Sequence, residues 1–128
     1  MIEIIVPGEI VSYKRPANTA WGGRMTPPKV RAYMSRLAGE AKLAMDRHKP
    51  FPLGTPLRLE VRAAFTPPPS WSKHKRLDAL AYKIAPTGRP DLDNIIKLID
   101  ALKGIVWADD TQVVRITAGK FYEQDPYL

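Results

Sequence analysis

The sequence predicts an α+β fold in a single domain that spans residues 1–128. Two kinds of apolar pattern predict it: some segments alternate with a period of two, as strands do, and others repeat every three or four residues, as helices do. The order of these segments is strand, helix, strand, helix, helix, strand. This order favours a small mixed sheet, at least partly antiparallel, with helices packed on it.

The N-terminal half is predicted to contain two strands and one long helix. IEIIV, near the N-terminus, is typical of a short strand that ends at Pro7. A loop rich in glycine, proline and basic residues follows over residues 11–29. Apolar residues then recur at helical spacing from Val30 until Pro50 ends the helix. Leu57–Phe65, LRLEVRAAF, alternates apolar and charged residues and is the clearest strand.

The C-terminal half is predicted to contain two helices and a strand. Ser70 is expected to cap a helix that runs to Ala81. The next helix is expected to begin at Asp91 and to stop at Gly104. TQVVRITAGKFYE has the pattern of the last strand, and a further strand is expected within IVSYKRP or GIVWAD. The helix that begins at Asp91 is predicted to face the core with an apolar stripe: Leu92, Ile95, Ile96, Ile99 and Leu102.

The composition favours a nucleic-acid-binding protein. Lysine and arginine number 20 against 13 acidic residues, which gives a formal net charge of +7. A basic domain of this size most often binds a polyanion, and nucleic acid is the commonest one. The chain has no cysteine, which excludes disulfides and thiolate zinc sites and makes a cytoplasmic location the expectation. No apolar run approaches the ~20 residues that span a bilayer, so no membrane partner is expected.

The aspartates at the two ends of the predicted helix from Asp91 to Gly104 need an explanation. Capping and an i,i+4 ion pair would account for one of Asp91 and Asp93 and for Lys97, each effect contributing only ~0.3–1 kcal/mol at a surface. They do not account for Asp109 and Asp110, which follow the apolar stretch IVWA. Adjacent carboxylates there are unfavourable if the segment is partly buried, unless a positive group lies near.

A hard divalent cation is a natural partner for these carboxylates. Mg²⁺ prefers oxygen ligands and takes a few carboxylates while it keeps waters and substrate phosphate oxygens. Asp91 and Asp93, with one aspartate of the ADD turn, would supply three ligands, and this reasoning leaves the choice within ADD open. Lys97, one turn further on, would point at the same region. An EF-hand is excluded because Ile95 occupies the position of the third donor.

The stretch RPDLDNIIKLIDALKGIVWADDTQVV resembles the signature of the RusA-like Holliday junction resolvases of phages and prophages. VSYKRPANTAWGGRMTPPKVRAY and PPPSWSKHKR are similar to other parts of that family in the same order. The resemblance implies an α+β fold, a homodimer, dependence on Mg²⁺ or Mn²⁺, and paired cuts in four-way DNA junctions during recombination and repair. It makes Asp91, Asp93 and Asp110 the metal-binding catalytic residues. Lys97 becomes the catalytic lysine, and Asp109 ranks second to Asp110 as a ligand.

Two basic clusters are predicted to bind the DNA phosphates, because a nuclease with acidic ligands must hold its polyanion elsewhere. They consist of Lys14, Arg15 and Arg24 in the first loop, and Lys73, Lys75 and Arg76 after the second strand. Two alternatives remain open. The protein could be a non-catalytic nucleic-acid-binding module whose aspartates only cap a helix. It could also be a metal nuclease that acts on flaps, other branched DNA or RNA.

Overall fold

The structure, a computed structural model, describes residues 1–13, the backbone of residues 17–18 and 24–25, and residues 26–128. It has the α+β fold that the sequence predicts. The strands are β1 (Ala17–Asn18), β2 (Arg24–Met25), β3 (Leu57–Phe65) and β4 (Val113–Tyr122). The α-helices are α1 (Pro28–Met45), α2 (Lys73–Leu80) and α3 (Leu92–Ile96), and two 3-10 helices cover Lys97–Leu102 and Asp110–Gln112.

The main sheet is a parallel pair, β3 and β4, in a register that runs from Leu57 opposite Val113 to Phe65 opposite Tyr122. A parallel pair needs a crossover connection, and α2 and α3 lie in that connection. Antiparallel pairing occurs between β1 and β2 and at two isolated bridges of Tyr127. Both directions of pairing are therefore present, but in two separate two-stranded sheets of the described residues and not in one mixed sheet.

The core lies between α1, one face of the sheet, and the α3 segment, which is α3 together with the 3-10 helix Lys97–Leu102. The predicted long helix is confirmed as α1, with proline in its first turn, where a missing N–H is tolerated. No helix of the described residues is long and apolar enough to cross a membrane. The buried residues of α1 recur at helical spacing: Val30, Tyr33, Leu37, Ala41 and Met45.

The α3 segment tightens halfway, and this changes which residues are buried. From Lys97 the helix is a 3-10 helix with about three residues per turn, so positions three apart share a face. Ile95 and Leu98 are both fully buried, and Leu102 is 4% exposed. The predicted stripe missed Leu98 because it assumed a regular α-helix. Its other members, Leu92, Ile96 and Ile99, are only half-buried.

Three other local predictions were wrong. Ser72, not Ser70, caps α2, and its Oγ accepts a hydrogen bond from the backbone N–H of Lys75 at 3.2 Å. IEIIV does not form a regular strand; instead the backbone of Val6 exchanges two hydrogen bonds of 3.0 Å with Leu128. The described parts of IVSYKRP and GIVWAD are not strands either, although Trp107 forms isolated bridges.

Candidate metal centre and nucleic-acid interface

The first group of predicted site residues lies at the start of α3. Asp91 occupies the N-cap position, where its backbone oxygen accepts from the N–H of Ile95 at 3.2 Å but its side chain makes no capping bond. Asp93 follows in the first turn, and its Oδ2 is 3.6 Å from the Nζ of Lys97. The predicted i,i+4 ion pair is therefore present. Both carboxylates are exposed, that of Asp93 to 72%.

Lys120 fixes this group beside the C-terminal half of β4. Its Nζ donates hydrogen bonds to the backbone oxygens of Gly88 at 2.7 Å and Pro90 at 2.9 Å. Pro90 immediately precedes Asp91, so the start of α3 is tied to the position of Lys120 in the strand. Local sequence patterns do not indicate this contact, because it joins residues that are 30 positions apart.

Asp109 lies at the other end of the α3 segment and is held by local bonds. It caps the 3-10 helix Asp110–Gln112, and its Oδ2 accepts from the hydroxyl of Thr111 at 2.6 Å. The Nζ of Lys103 is 3.3 Å from its Oδ1. Hydrogen bonds from Thr111 and Lys103 lower the pKa of Asp109 below its usual value. The positive partner that the sequence argument required near this carboxylate is therefore a lysine.

Gln112 connects the same turn to the loop before β3 through side-chain hydrogen bonds. The sequence analysis did not select this residue. It is only 4% exposed, and its Oε1 accepts from the backbone N–H groups of Ala108 and Asp109, both at 2.9 Å. Its Nε2 lies within 2.9–3.3 Å of three backbone oxygens of residues 51–55. The signal was present as the D-x-x-Q spacing from Asp109 to Gln112, which is the pattern of a capping box.

Asp110 differs from Asp109, because one of its two carboxylate oxygens is exposed to solvent. Its Oδ1 accepts a hydrogen bond of 2.8 Å from the indole N–H of Trp107, whose ring is 2% exposed. Its Oδ2 has no hydrogen-bond or ion-pair partner among the described residues. The buried indole therefore orients an exposed carboxylate.

The two groups of aspartates lie toward opposite ends of β4. Asp110 begins the 3-10 turn that leads into the strand, whereas Asp91 follows Pro90, whose backbone oxygen is bound by Lys120 near the other end. From Val113 to Lys120 an extended chain covers roughly 23 Å. Consistent with this, the described residues include no group of three acidic, histidine or cysteine side chains that could hold a metal ion. Carboxylates are suitable ligands for Mg²⁺, but a single chain does not bring Asp91, Asp93 and Asp110 together.

The second basic cluster lies at the same end of the sheet as Asp91. Lys73, Lys75 and Arg76 are exposed in the first half of α2. The helix is anchored by Trp71, whose ring packs edge-on against Tyr122 at the end of β4, with 5.5 Å between centroids. The Nζ of Lys75 lies 4.0 Å from the centroid of the Trp71 ring. Lys14, Arg15 and the side chain of Arg24 lie outside the described residues.

Two further arginines form a basic pair that the sequence analysis did not select. Arg58 of β3 and Arg115 of β4 are neighbours in the parallel register, and both are exposed on the face away from the core. Neither has an ion pair with another described residue. Neighbouring like charges are unfavourable in a sheet unless an anion lies near. Only the pairing of the strands shows that these residues are adjacent.

The chain is similar in sequence to known proteins. Residues 7–128 match a family model described as "Endodeoxyribonuclease RusA". The chain is also similar to "Uncharacterized protein YqaN" of Bacillus subtilis (strain 168), with 32% identity over 131 residues. That alignment covers 98% of this chain and 90% of the relative.

Proposed function

Because this chain belongs to the RusA endodeoxyribonuclease family, we propose that it is a divalent-metal-dependent nuclease that resolves four-way DNA junctions. It acts as a homodimer, by paired phosphodiester hydrolysis, in recombination and repair. The observation that carries the proposal is the unequal state of the aspartates. Asp91, Asp93 and Asp110 are exposed and keep carboxylate oxygens available, whereas local hydrogen bonds occupy Asp109.

The ligands of the ion are Asp91, Asp93 and Asp110, with Mg²⁺ as the cofactor and Mn²⁺ able to replace it. When bound, the ion polarises a phosphoryl oxygen and lowers the pKa of an attacking water. Asp109 is secondary, because a ligand role would compete with its bonds to Thr111 and Lys103. The indole of Trp107 fixes the orientation of Asp110, which reduces the freedom that this side chain loses on binding.

Lys97 acts beside the carboxylates rather than as a ligand. Its ammonium is 3.6 Å from Asp93 and 3.5 Å from the side-chain oxygen of Asn94, and the side chain is 46% exposed. It can therefore orient Asp93 in the free protein and stabilise negative charge on a phosphate when DNA is present.

Basic residues outside the group of carboxylates hold the DNA. Lys73, Lys75 and Arg76 lie at the Asp91 end of the sheet and can contact the backbone that leads to the scissile phosphate. Lys14, Arg15 and Arg24, predicted from the sequence, would add further phosphate contacts. Such contacts contribute affinity that falls as salt rises.

The homodimer supplies a way to unite the separated ligands. Paired cuts require two sites related by a two-fold axis. Since roughly 23 Å of strand separates Val113 from Lys120, each site takes Asp91 and Asp93 from one subunit and Asp110 from the other. The dimer is then needed for the chemistry as well as for the symmetry of the cuts.

Cleavage of a synthetic four-way junction in Mg²⁺ tests the function. Asp91→Asn, Asp93→Asn and Asp110→Asn should each abolish cutting and preserve junction binding, since loss of a carboxylate removes no phosphate contact. Asp109→Asn should keep most of the activity and is the matched control. If the protein binds the junction but does not cut it with any divalent ion, the proposal is contradicted and the non-catalytic module is favoured. Faster cutting of flaps or RNA would favour a nuclease of other substrates.

A further inference from the structure

Two arginines lie side by side on the outer face of the sheet, which is the face of β3 and β4 away from the core. Arg58 and Arg115 are Cα partners in the parallel register, so their backbones are about 4.8 Å apart, and both are exposed. Glu60, the next residue of β3 on this face, forms no ion pair with either of them in the described part of the chain. Like charges directly opposite each other destabilise a sheet, so the pair is unfavourable in the free protein.

A β-bulge creates this pair. The register shifts between Leu57 and Arg58, which leaves Val114 of β4 without a partner in β3. Without the shift Val114 would lie opposite Arg58, and Arg115 would point toward the core. Packing of the core requires only that residue 115 be turned outward, and any polar side chain would satisfy it. An arginine directly opposite another arginine needs a further reason, and β-bulges often re-aim side chains beside active sites.

The arginine pair lies at the end of the sheet that carries Asp110. From Asp110 through the 3-10 turn to Arg115 the chain covers at most about 13 Å. The basic cluster on α2 lies at the other end of the sheet, and the ammonium of Lys103 is already engaged with Asp109. The arginine pair therefore supplies positive charge close to Asp110.

We propose that Arg58 and Arg115 form a phosphate-binding site that holds consecutive phosphates of one DNA strand close to Asp110. A guanidinium group presents a planar set of donors that matches the oxygens of a phosphate, and two such groups on adjacent β-strands can reach neighbouring phosphates. The bound phosphates neutralise the two arginines and remove the repulsion between them. That the phosphates belong to DNA rests on the proposed function, whereas the need of the pair for an anion does not.

Binding of a labelled four-way junction without divalent ions tests the site separately from cutting. Each phosphate contact contributes about 0.9 to the slope of log affinity against log salt concentration, which is about eightfold in affinity between 1 M and 0.1 M salt. Arg58→Gln and Arg115→Gln should each reduce the slope by about 0.9, and the double variant by about 1.8.

Arg62→Gln is the matched control and should change the slope little. Arg62 lies on the same face of β3, two residues after Glu60. Its guanidinium carbon is 4.5 Å from the centroid of the Phe121 ring, and its Nη2 is 3.8 Å from a carboxylate oxygen of Glu123. This arginine therefore already has partners within the protein.

Thermal unfolding without DNA provides a second measurement. Because the pair is unfavourable when no anion is bound, Arg115→Gln should unfold at the same temperature as the parent protein or at a higher one. Arg62→Gln should unfold at a lower temperature, since it loses its contacts with Phe121 and Glu123. If Arg115→Gln unfolds at a lower temperature than the parent, the pair stabilises the free sheet and the proposal is overturned.

The possible results distinguish this site from the nuclease. Reduced slopes in a protein that cuts no junction with any divalent ion would support the phosphate site and refute the nuclease. An unchanged slope for the double variant of a protein that cuts would refute the phosphate site and leave the nuclease standing. If inorganic pyrophosphate stabilises the parent but not the double variant, and junction binding is unchanged, the site binds a small phosphate compound and its assignment to DNA is wrong.

Discussion

Two inactive variants, Asp93→Asn and Asp110→Asn, should restore each other's activity when they form mixed dimers. The two carboxylates lie toward opposite ends of β4, whose residues from Val113 to Lys120 cover roughly 23 Å, a gap that a short aspartate side chain cannot close. In a mixed dimer the site that takes Asp93 from one subunit and Asp110 from the other keeps all its ligands. The second site loses both.

The size of the rescue follows from counting sites. Random exchange of equal amounts gives about half mixed dimers, each with one of two sites intact, so about a quarter of the parental sites return. Mixed dimers purified with two different tags should keep about half. Because only one site is intact, the product should be a nicked junction rather than a resolved one.

The assay is cleavage of a labelled four-way junction, resolved on a denaturing gel. A mixture of Asp91→Asn with Asp93→Asn is the control, because both substitutions fall in the same half of the site and no mixed dimer is complete. Purified mixed dimers of Asp93→Asn and Asp110→Asn that stay inactive would refute a site shared between subunits. Equal rescue in the control mixture would refute it as well.

Further outcomes follow from the contacts of three residues, Gln112, Tyr33 and Asp109. Gln112→Ala should lower the free energy of unfolding by about 3 kcal/mol in urea titrations, since it leaves buried backbone groups without partners, whereas the exposed Gln124→Ala should have little effect. Tyr33→Phe should raise the free energy of unfolding by about 1 kcal/mol, because the buried Tyr33 hydroxyl has no partner among the described residues. Burial also raises the pKa of Tyr33 to about 12, so the parent protein should lose stability as pH rises from about 10 to 12 and Tyr33→Phe should lose less. Asp109→Asn should lower the midpoint of thermal unfolding at neutral pH, and this difference should shrink in acid as pH falls through the lowered pKa of Asp109.

The sequence predicted most of the elements, because their apolar patterns are regular. β3 was predicted to the residue, and α1 and β4 were predicted with small errors at their ends. The errors fall where local pattern and tertiary contact disagree. IEIIV alternates well enough for a strand, yet within the described part of the chain only Val6 finds a backbone partner, at the C-terminus. The stripe of the α3 segment shifted because the helix tightened after Ile96.

The sequence selected the residues of the candidate site but did not predict how they are arranged. Spacing and residue type selected Asp91, Asp93 and Lys97, and the structure confirms the ion pair within this group. Spacing could not show that Lys103 neutralises Asp109 while Trp107 orients Asp110, because both contacts depend on how the turn folds back. Nor could it show that β4 separates the two groups. That separation depends on the parallel pairing of distant strands.

The contact between Lys120 and the loop before α3 makes β4 a spacer of fixed length. The strand follows the turn that begins at Asp110, and its Lys120 holds the loop that leads to Asp91 and Asp93, so the proposed ligands keep a fixed separation within one chain. That separation is set by the number of residues in the strand, at about 3.3 Å each, and not by any loop. A change in the length of β4 would therefore alter the spacing of these carboxylates even with every aspartate intact.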